Sequence, residues 1–350
     1  MPLLTRTVPT PLVVEIGEDA VACLDRILSD GRISSGGKVA IAVGPGIGLE
    51  IADRVRDSIP SGVVHILEGG TVEGARALVQ QLRGSFLDAI VGIGGGRTLD
   101  AAKYGSTILG LPFVSVATTL THDGLASPVA ILDTAGGRRS FGVMMPIAVV
   151  VDLTYVRASP ERHTRSGIGD ALSNLSAVAD WELAAQHRAE PVDGLAAAFA
   201  RAGAESLVGR IADLGNAPFL TTLAEALVLS GIAMSVAGSS RPCSGACHEI
   251  SHAIDALFPG TGHHGEQVAL GALFASWLRD DPNTARLDAS LRAFGLPRVP
   301  ADLGLDAEQF ALAVAEGPSM RPDRYTILEH LAMDDAETRK RVDGFIEAFA

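Results

Sequence analysis

The stretch Ile90-Val91-Gly92-Ile93-Gly94-Gly95-Gly96-Arg97-Thr98-Leu99 runs from an apolar, β-branched segment through three consecutive glycines into helical spacing. Where a strand turns into a helix on glycine, the backbone can approach an anion closely. No Cβ intervenes, and the first N–H groups of the helix have no partner within it. Gly94, Gly95 and Gly96 are therefore candidate contacts for the pyrophosphate of a cofactor. A tight turn without a ligand would use the same glycines, so the flanking sequence has to decide.

Similar apolar runs lie on either side, at 12–16, 39–43, 63–67 and 112–116, and segments with helical spacing, 48–59 and 71–83, alternate with them. Alternation of this kind predicts a Rossmann-like parallel sheet covered by helices. A looser glycine turn, Gly44-Pro45-Gly46-Ile47-Gly48, also follows a strand. Thr118 and Thr119 offer hydroxyls at the end of another, where open α/β sheets bind ligands. Two more runs, 129–132 and 147–151, bracket the turn-rich 133–139, which reads as a hairpin.

From about residue 159 the texture changes to long Ala- and Leu-rich stretches, read as helices at 170–189, 192–214, 218–236, 247–257 and 265–278, with more to the C-terminus. The expected architecture is an α/β nucleotide-binding domain over residues 1–155 followed by an all-α metal- and substrate-binding domain over 156–350. A chain of 350 residues exceeds what one core usually serves. No repeat or long linker separates the halves, and a cleft where they meet is the expected place for chemistry.

Composition narrows the function further. With 28 basic against 41 acidic side chains, the net charge of -13 would repel a phosphate backbone, which argues against nucleic acid as a partner. No apolar run reaches the roughly 20 residues of a bilayer span, and the first six residues lack the apolar core of a signal peptide. Three cysteines, Cys23, Cys243 and Cys247, are too few for a disulfide framework. A cytoplasmic protein, possible as a homo-oligomer, is the expectation.

The second chemical signal is Cys247-His248-Glu249-Ile250-Ser251-His252, which sets two imidazoles at i and i+4 on one face of a helix. Gly262-His263-His264-Gly265-Glu266 follows at the opening of the next helix, and Gly169-Asp170 reads as another helix start far upstream. A carboxylate and two imidazoles make a site that suits catalytic zinc and other divalent ions, with a position left open for substrate oxygen. Any one of these histidines alone would more often be a core residue. Asp123, in Thr121-His122-Asp123-Gly124, could bind substrate hydroxyls or simply make an Asp-Gly turn.

Taken together, these segments resemble the sn-glycerol-1-phosphate dehydrogenase family, a branch of the group that includes iron-type alcohol dehydrogenases, glycerol dehydrogenase and 3-dehydroquinate synthase. The resemblance rests on Gly94 to Lys103, Thr121 to Pro128, Gly169 to Asn174, Asp180-Trp181-Glu182, Ser239 to Gly245, His248, Ser251-His252-Ala253, His264-Gly265-Glu266-Gln267 and Arg321 to Leu328. It implies that Asp170, His248 and His264 hold one divalent metal, zinc foremost, with nickel or iron as alternatives. It implies that Asp123 and His252 are catalytic and contact substrate together with Asp170. Gly94, Gly95, Gly96, Arg97, Thr98, Thr118, Thr119, His122 and Ser127 would surround NAD or NADP.

The reaction implied is the reversible reduction of dihydroxyacetone phosphate, a small phosphorylated triose, to sn-glycerol 1-phosphate. The chain departs from the family at Ala117, where proline is expected, at Thr121, where serine is usual, and at Cys247, where glutamate commonly precedes the ligand histidine. Rival readings are a sugar-phosphate cyclase that uses NAD transiently, a dehydrogenase of another polyol or alcohol, and a non-catalytic nucleotide-binding protein. Against the cyclase, Ser240-Arg241-Pro242-Cys243-Ser244 stands where such enzymes carry a basic, Leu-Asn-containing stretch.

Overall fold

A computed structural model describes residues 7–57, 59, 62–210 and 213–350. Positions 1–6, 58 and 211–212, which fall in the stretches read above as the leaderless start and as parts of two helices, lie outside the described residues. The chain forms two compact units, one of residues up to Thr119 with Gly124–Ser159, the other of Leu120–Asp123 with Pro160–Ala350.

The first unit alternates strands and helices: β1 (Val13–Gly17), α1 (Leu24–Leu28), β2 (Lys38–Val43), α2 (Ile47–Val55), β3 (Gly62–Ile66), α3 (Val72–Leu82), β4 (Leu87–Gly94), α4 (Gly96–Leu109) and β5 (Phe113–Ala117). Then come β6 (Val129–Thr134), β7 (Gly137–Gly142), β8 (Ala148–Asp152) and α5 (Leu153–Ala158). Six strands make one parallel sheet in the order β1-β8-β5-β4-β2-β3.

Inner strands β5 and β8 are buried along their whole length, and β2 and β4 along all but their first one or two residues. That is why they read as continuous apolar runs, whereas edge strands β1 and β3 are half exposed. The chain runs outward from β2 to β3, then returns to β4 on the other side of β2. Strand order reverses there, at the kind of switch point where such sheets bind ligands beyond their carboxyl ends. Val43 pairs with Ile93, and Gly94 with Ala117, so the turns after β2, β4 and β5 emerge side by side.

The turn-rich segment is a hairpin, but its second strand is β7, Gly137-Arg138-Arg139-Ser140-Phe141-Gly142, antiparallel to β6. The run 147–151 belongs instead to the main sheet as β8. β7 is almost entirely exposed, so it carries no hydrophobic alternation by which to be read.

The second unit is helical: α6 (Glu161–Arg188), α7 (Gly194–Glu205), α8 (Ala217–Ala237), α9 (Ala246–Leu257), α10 (His264–Leu278), α11 (Thr284–Phe294), α12 (Ala307–Met320), α13 (Ile327–Leu331) and α14 (Asp335–Phe349). Helix α6 starts nine residues before Asp170, so that residue lies mid-helix and not at a helix start. Gly167 and Gly169 look like breakers in sequence, but each lies where another backbone passes within van der Waals contact. A Cβ at Gly167 would stand 2.2 Å from the carbonyl oxygen of Leu120, and one at Gly169 2.1 Å from that of Gly265. Helix α8, at 21 residues, is long and apolar enough to cross a membrane by length and composition, although the sequence reads as having no such run; it is mostly buried within this unit.

Candidate active site

The α6–α10 contact brings the acid and the histidines together. A Cβ at Gly265 would stand 1.7 Å from the Ser166 carbonyl oxygen, and the Gly265 N–H donates to Ser166 Oγ at 3.1 Å. Only bare backbone permits this crossing, with Asp170 one helical turn beyond Ser166 on α6 and His264 immediately before Gly265 on α10. His264 Nε2 lies 3.6 Å and His248 Nε2 3.9 Å from Asp170 Oδ1. One donor atom from each of the three can be chosen so that all lie within 4.8 Å of one another.

Helix α9, which carries His248, is anchored by Asp180 of α6. That buried carboxylate accepts from the Ala246 N–H at 2.8 Å, pairs with Arg279 at 2.6 Å and also accepts from the Ile327 N–H at 3.0 Å. It caps α9 from a neighbouring helix, while Gly245 leaves room for it.

The electrostatics suit a cation. Burial pushes Asp170 up to about 7 against the opposing Asp123 N–H, which donates to Oδ2 at 2.9 Å. Burial, then the neighbouring His264 and His252, holds His248 well below its usual range, and His252 falls to about 4 through burial, His264 and Arg321. Each group resists charge on its own, and a divalent ion would compensate the carboxylate while using the neutral imidazoles as ligands.

Behind the ring nitrogens stand further partners. Cys247 Sγ lies 3.3 Å from His248 Nδ1, and Ser251 Oγ lies 3.3 Å from His264 Nδ1. Burial raises the Cys247 thiol to about 12, so it stands there uncharged. This donor set, with ring nitrogens supported from behind, fits a divalent metal.

In the first unit, Gly95 caps α4 with a backbone any residue adopts (φ −83, ψ 178), so its lack of a side chain matters for space. A Cβ there would stand 3.2 Å from Thr119 Oγ1, a buried hydroxyl with no hydrogen-bond partner. A Cβ at Gly94 would meet Thr98 Cβ at 2.9 Å, and one at Gly44 would meet Thr98 Oγ1 at 2.7 Å. The Thr98 and Leu99 N–H groups donate to the Gly95 carbonyl, leaving those of Gly96 and Arg97 outside the helix ladder. A cradle of bare backbone beside an unsatisfied hydroxyl fits a cofactor phosphate.

The structure thus gathers Gly94, Gly95, Gly96, Thr98, Thr118 and Thr119 at neighbouring strand ends, with the Thr118 N–H donating to the Gly94 carbonyl at 3.1 Å. The Arg97 guanidinium pairs with Asp133 at 2.8 Å, and Ser127 is buried with its hydroxyl on the Val129 carbonyl. His122 packs edge-to-face on His264, with ring centroids 6.4 Å apart, in the short segment that belongs to the second unit. Arg241 is buried and pairs with Glu190 through Nε and Nη2, while its Nη1 is buried without a hydrogen-bond partner. Ser251, Gln267 and Asp180 stand in segments that carry the resemblance, but sequence reasoning gave them no role at the site. The first two sit three residues beyond His248 and His264, a helical spacing that could have pointed to them.

A model of the iron-containing alcohol dehydrogenase family matches residues 15–160. Among curated proteins, glycerol-1-phosphate dehydrogenase (NAD(P)+) of Thermococcus kodakarensis is 34% identical over 324 residues, spanning 90% of this chain and 92% of its own. That of Archaeoglobus fulgidus is 36% identical over 334 residues, spanning 93% and 94%. The chain belongs to the glycerol-1-phosphate dehydrogenase family. Solved structures share the fold: a probable glycerol dehydrogenase of Sinorhizobium meliloti (TM-score 0.76, 23% identity, 97% of this chain and 98% of that one) and glycerol dehydrogenase of Schizosaccharomyces pombe (0.77, 22%, 99% and 92%).

Proposed function

We propose that this protein is a metal-dependent NAD(P)H oxidoreductase that reversibly reduces dihydroxyacetone phosphate to sn-glycerol 1-phosphate in the cytoplasm. Zinc is the proposed metal, with nickel or iron as alternatives. The observation that carries the reading is the grouping of Asp170, His248 and His264 within 4.8 Å. When bound, the cation supplies Lewis-acid polarisation of the substrate carbonyl, and the nicotinamide supplies the hydride.

The residues divide the remaining work. Asp170, His248 and His264 hold the cation, and the Asp123 N–H steadies the Asp170 carboxylate. His252, a neutral imidazole at physiological pH, orders the substrate and relays a solvent proton to its oxygen instead of storing one. The glycine turn with Thr98, Thr118 and Thr119 takes the cofactor phosphates. Arg321, 3.8 Å from an exposed Asp323, keeps donors for a substrate phosphate, and so does Arg241, whose Nη1 has no partner beside its pairing with Glu190. The test is NADH and NADPH oxidation with phosphorylated and free ketones, with and without added metals. Dihydroxyacetone phosphate should be the best substrate and metal removal should abolish turnover; equal rates on free dihydroxyacetone, or rates indifferent to metal, would contradict the proposal.

A further inference from the structure

Helices α9 and α10 are joined by a chain of buried hydrogen bonds whose direction is determined from one end. Gln267 Nε2 donates to Asp255 Oδ1 at 2.9 Å and to the Thr261 carbonyl at 2.7 Å, and a carbonyl has no proton to give. That fixes the amide, so its Oε1 faces Ser251 Oγ at 2.7 Å and must accept. The single hydroxyl proton of Ser251 is thereby used. Toward His264 Nδ1, 3.3 Å away, Ser251 can only offer a lone pair.

We infer that Ser251 and Gln267 are positioning residues that hold His264 as the Nδ1-protonated tautomer, turning the Nε2 lone pair toward Asp170 and a divalent cation. The inference rests on the metal-site reading above and adds to it the device that prepares one ligand. Ser251 and Gln267 are both fully buried, so no water is at hand to reverse the chain. Their places follow from helix geometry: Ser251 and Asp255 are one turn apart on α9, His264 and Gln267 one turn apart on α10. If Nδ1 carried a lone pair instead, it would face the oxygen lone pairs of the buried Ser251. The energetic preference is therefore set before any metal arrives, and it presents the ring nitrogen that faces the carboxylate.

The test measures Zn2+ and Co2+ affinity of the full-length protein by chelator competition for wild type, Ser251→Ala, Gln267→Leu and the double variant, together with the melting temperature of each metal-free protein. Stoichiometric metal in the wild type tests the site itself, independently of this inference. Ser251→Ala should weaken metal binding about 10- to 100-fold, with little change in metal-free melting temperature. Gln267→Leu should weaken it less, because Ser251 could then rotate, and the double variant should be no weaker than Ser251→Ala, because Gln267 acts through Ser251. The 15N spectrum of histidine-labelled metal-free protein should show His264 protonated at Nδ1 in the wild type and shifted toward the other tautomer in Ser251→Ala. Wild-type affinity and an unchanged tautomer in Ser251→Ala, or single losses that multiply in the double variant, would overturn the assignment.

Discussion

His248 and His252 stand one helical turn apart, with His248 Nε2 3.9 Å from Asp170 Oδ1 and the two ring centroids 6.4 Å apart. Replacing His252 with Ala should leave one metal per subunit and abolish most turnover, whereas His248→Ala should lose the metal; elemental analysis of both purified variants decides. Equal metal loss in the two would place His252 among the ligands. In the glycine turn, Gly95→Val has no backbone penalty, but its side chain would crowd Thr119 Oγ1 and the space proposed for the pyrophosphate. NAD(P)H affinity should fall at least tenfold, or by about 1.4 kcal/mol, and a titration showing wild-type affinity in a folded variant would refute the loop assignment. These residues were legible in sequence because spacing alone brings them to one helix face or one strand end. The ion pairs of Arg97 and Arg241 were not, since their carboxylate partners Asp133 and Glu190 lie 36 and 51 residues away.

At the scale of elements, the ligand set depends on how closely α6 and α10 approach. Gly265→Ala would drive a methyl into the Ser166 carbonyl, and overpacking of this kind costs about 1–3 kcal/mol. The helices should separate and metal affinity should fall although no ligand has changed; calorimetric titration with Zn2+ checks this, and unchanged affinity would mean that the crossing does not govern the site. In the first unit, the start of β4 is tied to the turn before β2 by Asp88, whose Oδ2 accepts from Ser34 Oγ, the Ser35 N–H and Oγ, and the Gly37 N–H. The Ser35 hydroxyl, the Gly37 N–H and the others hold this carboxyl down to about 2. Its folded value lies below the ordinary 3.8 of an aspartate, so its contribution is complete above that pH and disappears as pH falls through about 2. Thermal melts between about pH 5 and 2 should show Asp88→Asn lacking this part of the wild-type decline; identical curves would contradict it. Strand-helix alternation announced the sheet, but not β7, which has no buried face, nor the true start of α6, where glycines that look like breakers serve a close contact instead.

At the scale of the molecule, the two halves of the sequence supply different chemistry: a parallel sheet whose strand order reverses beside a glycine cradle, and a helical unit that buries one carboxylate among imidazoles. Charge and composition set the class of partner but could not show that Asp180, deep in α6, caps the helix carrying His248; that arrangement depends on contacts 66 residues apart in sequence. The proposed activity makes a chiral product, so the most direct measurement is enantiomer-resolved analysis of the glycerol phosphate formed from dihydroxyacetone phosphate and NADH or NADPH by the Zn2+-loaded protein and by the same protein after chelation. The account predicts sn-glycerol 1-phosphate from the loaded protein and none after chelation, with recovery when metal is returned. Formation of sn-glycerol 3-phosphate, or undiminished product after the metal has been removed, would contradict it.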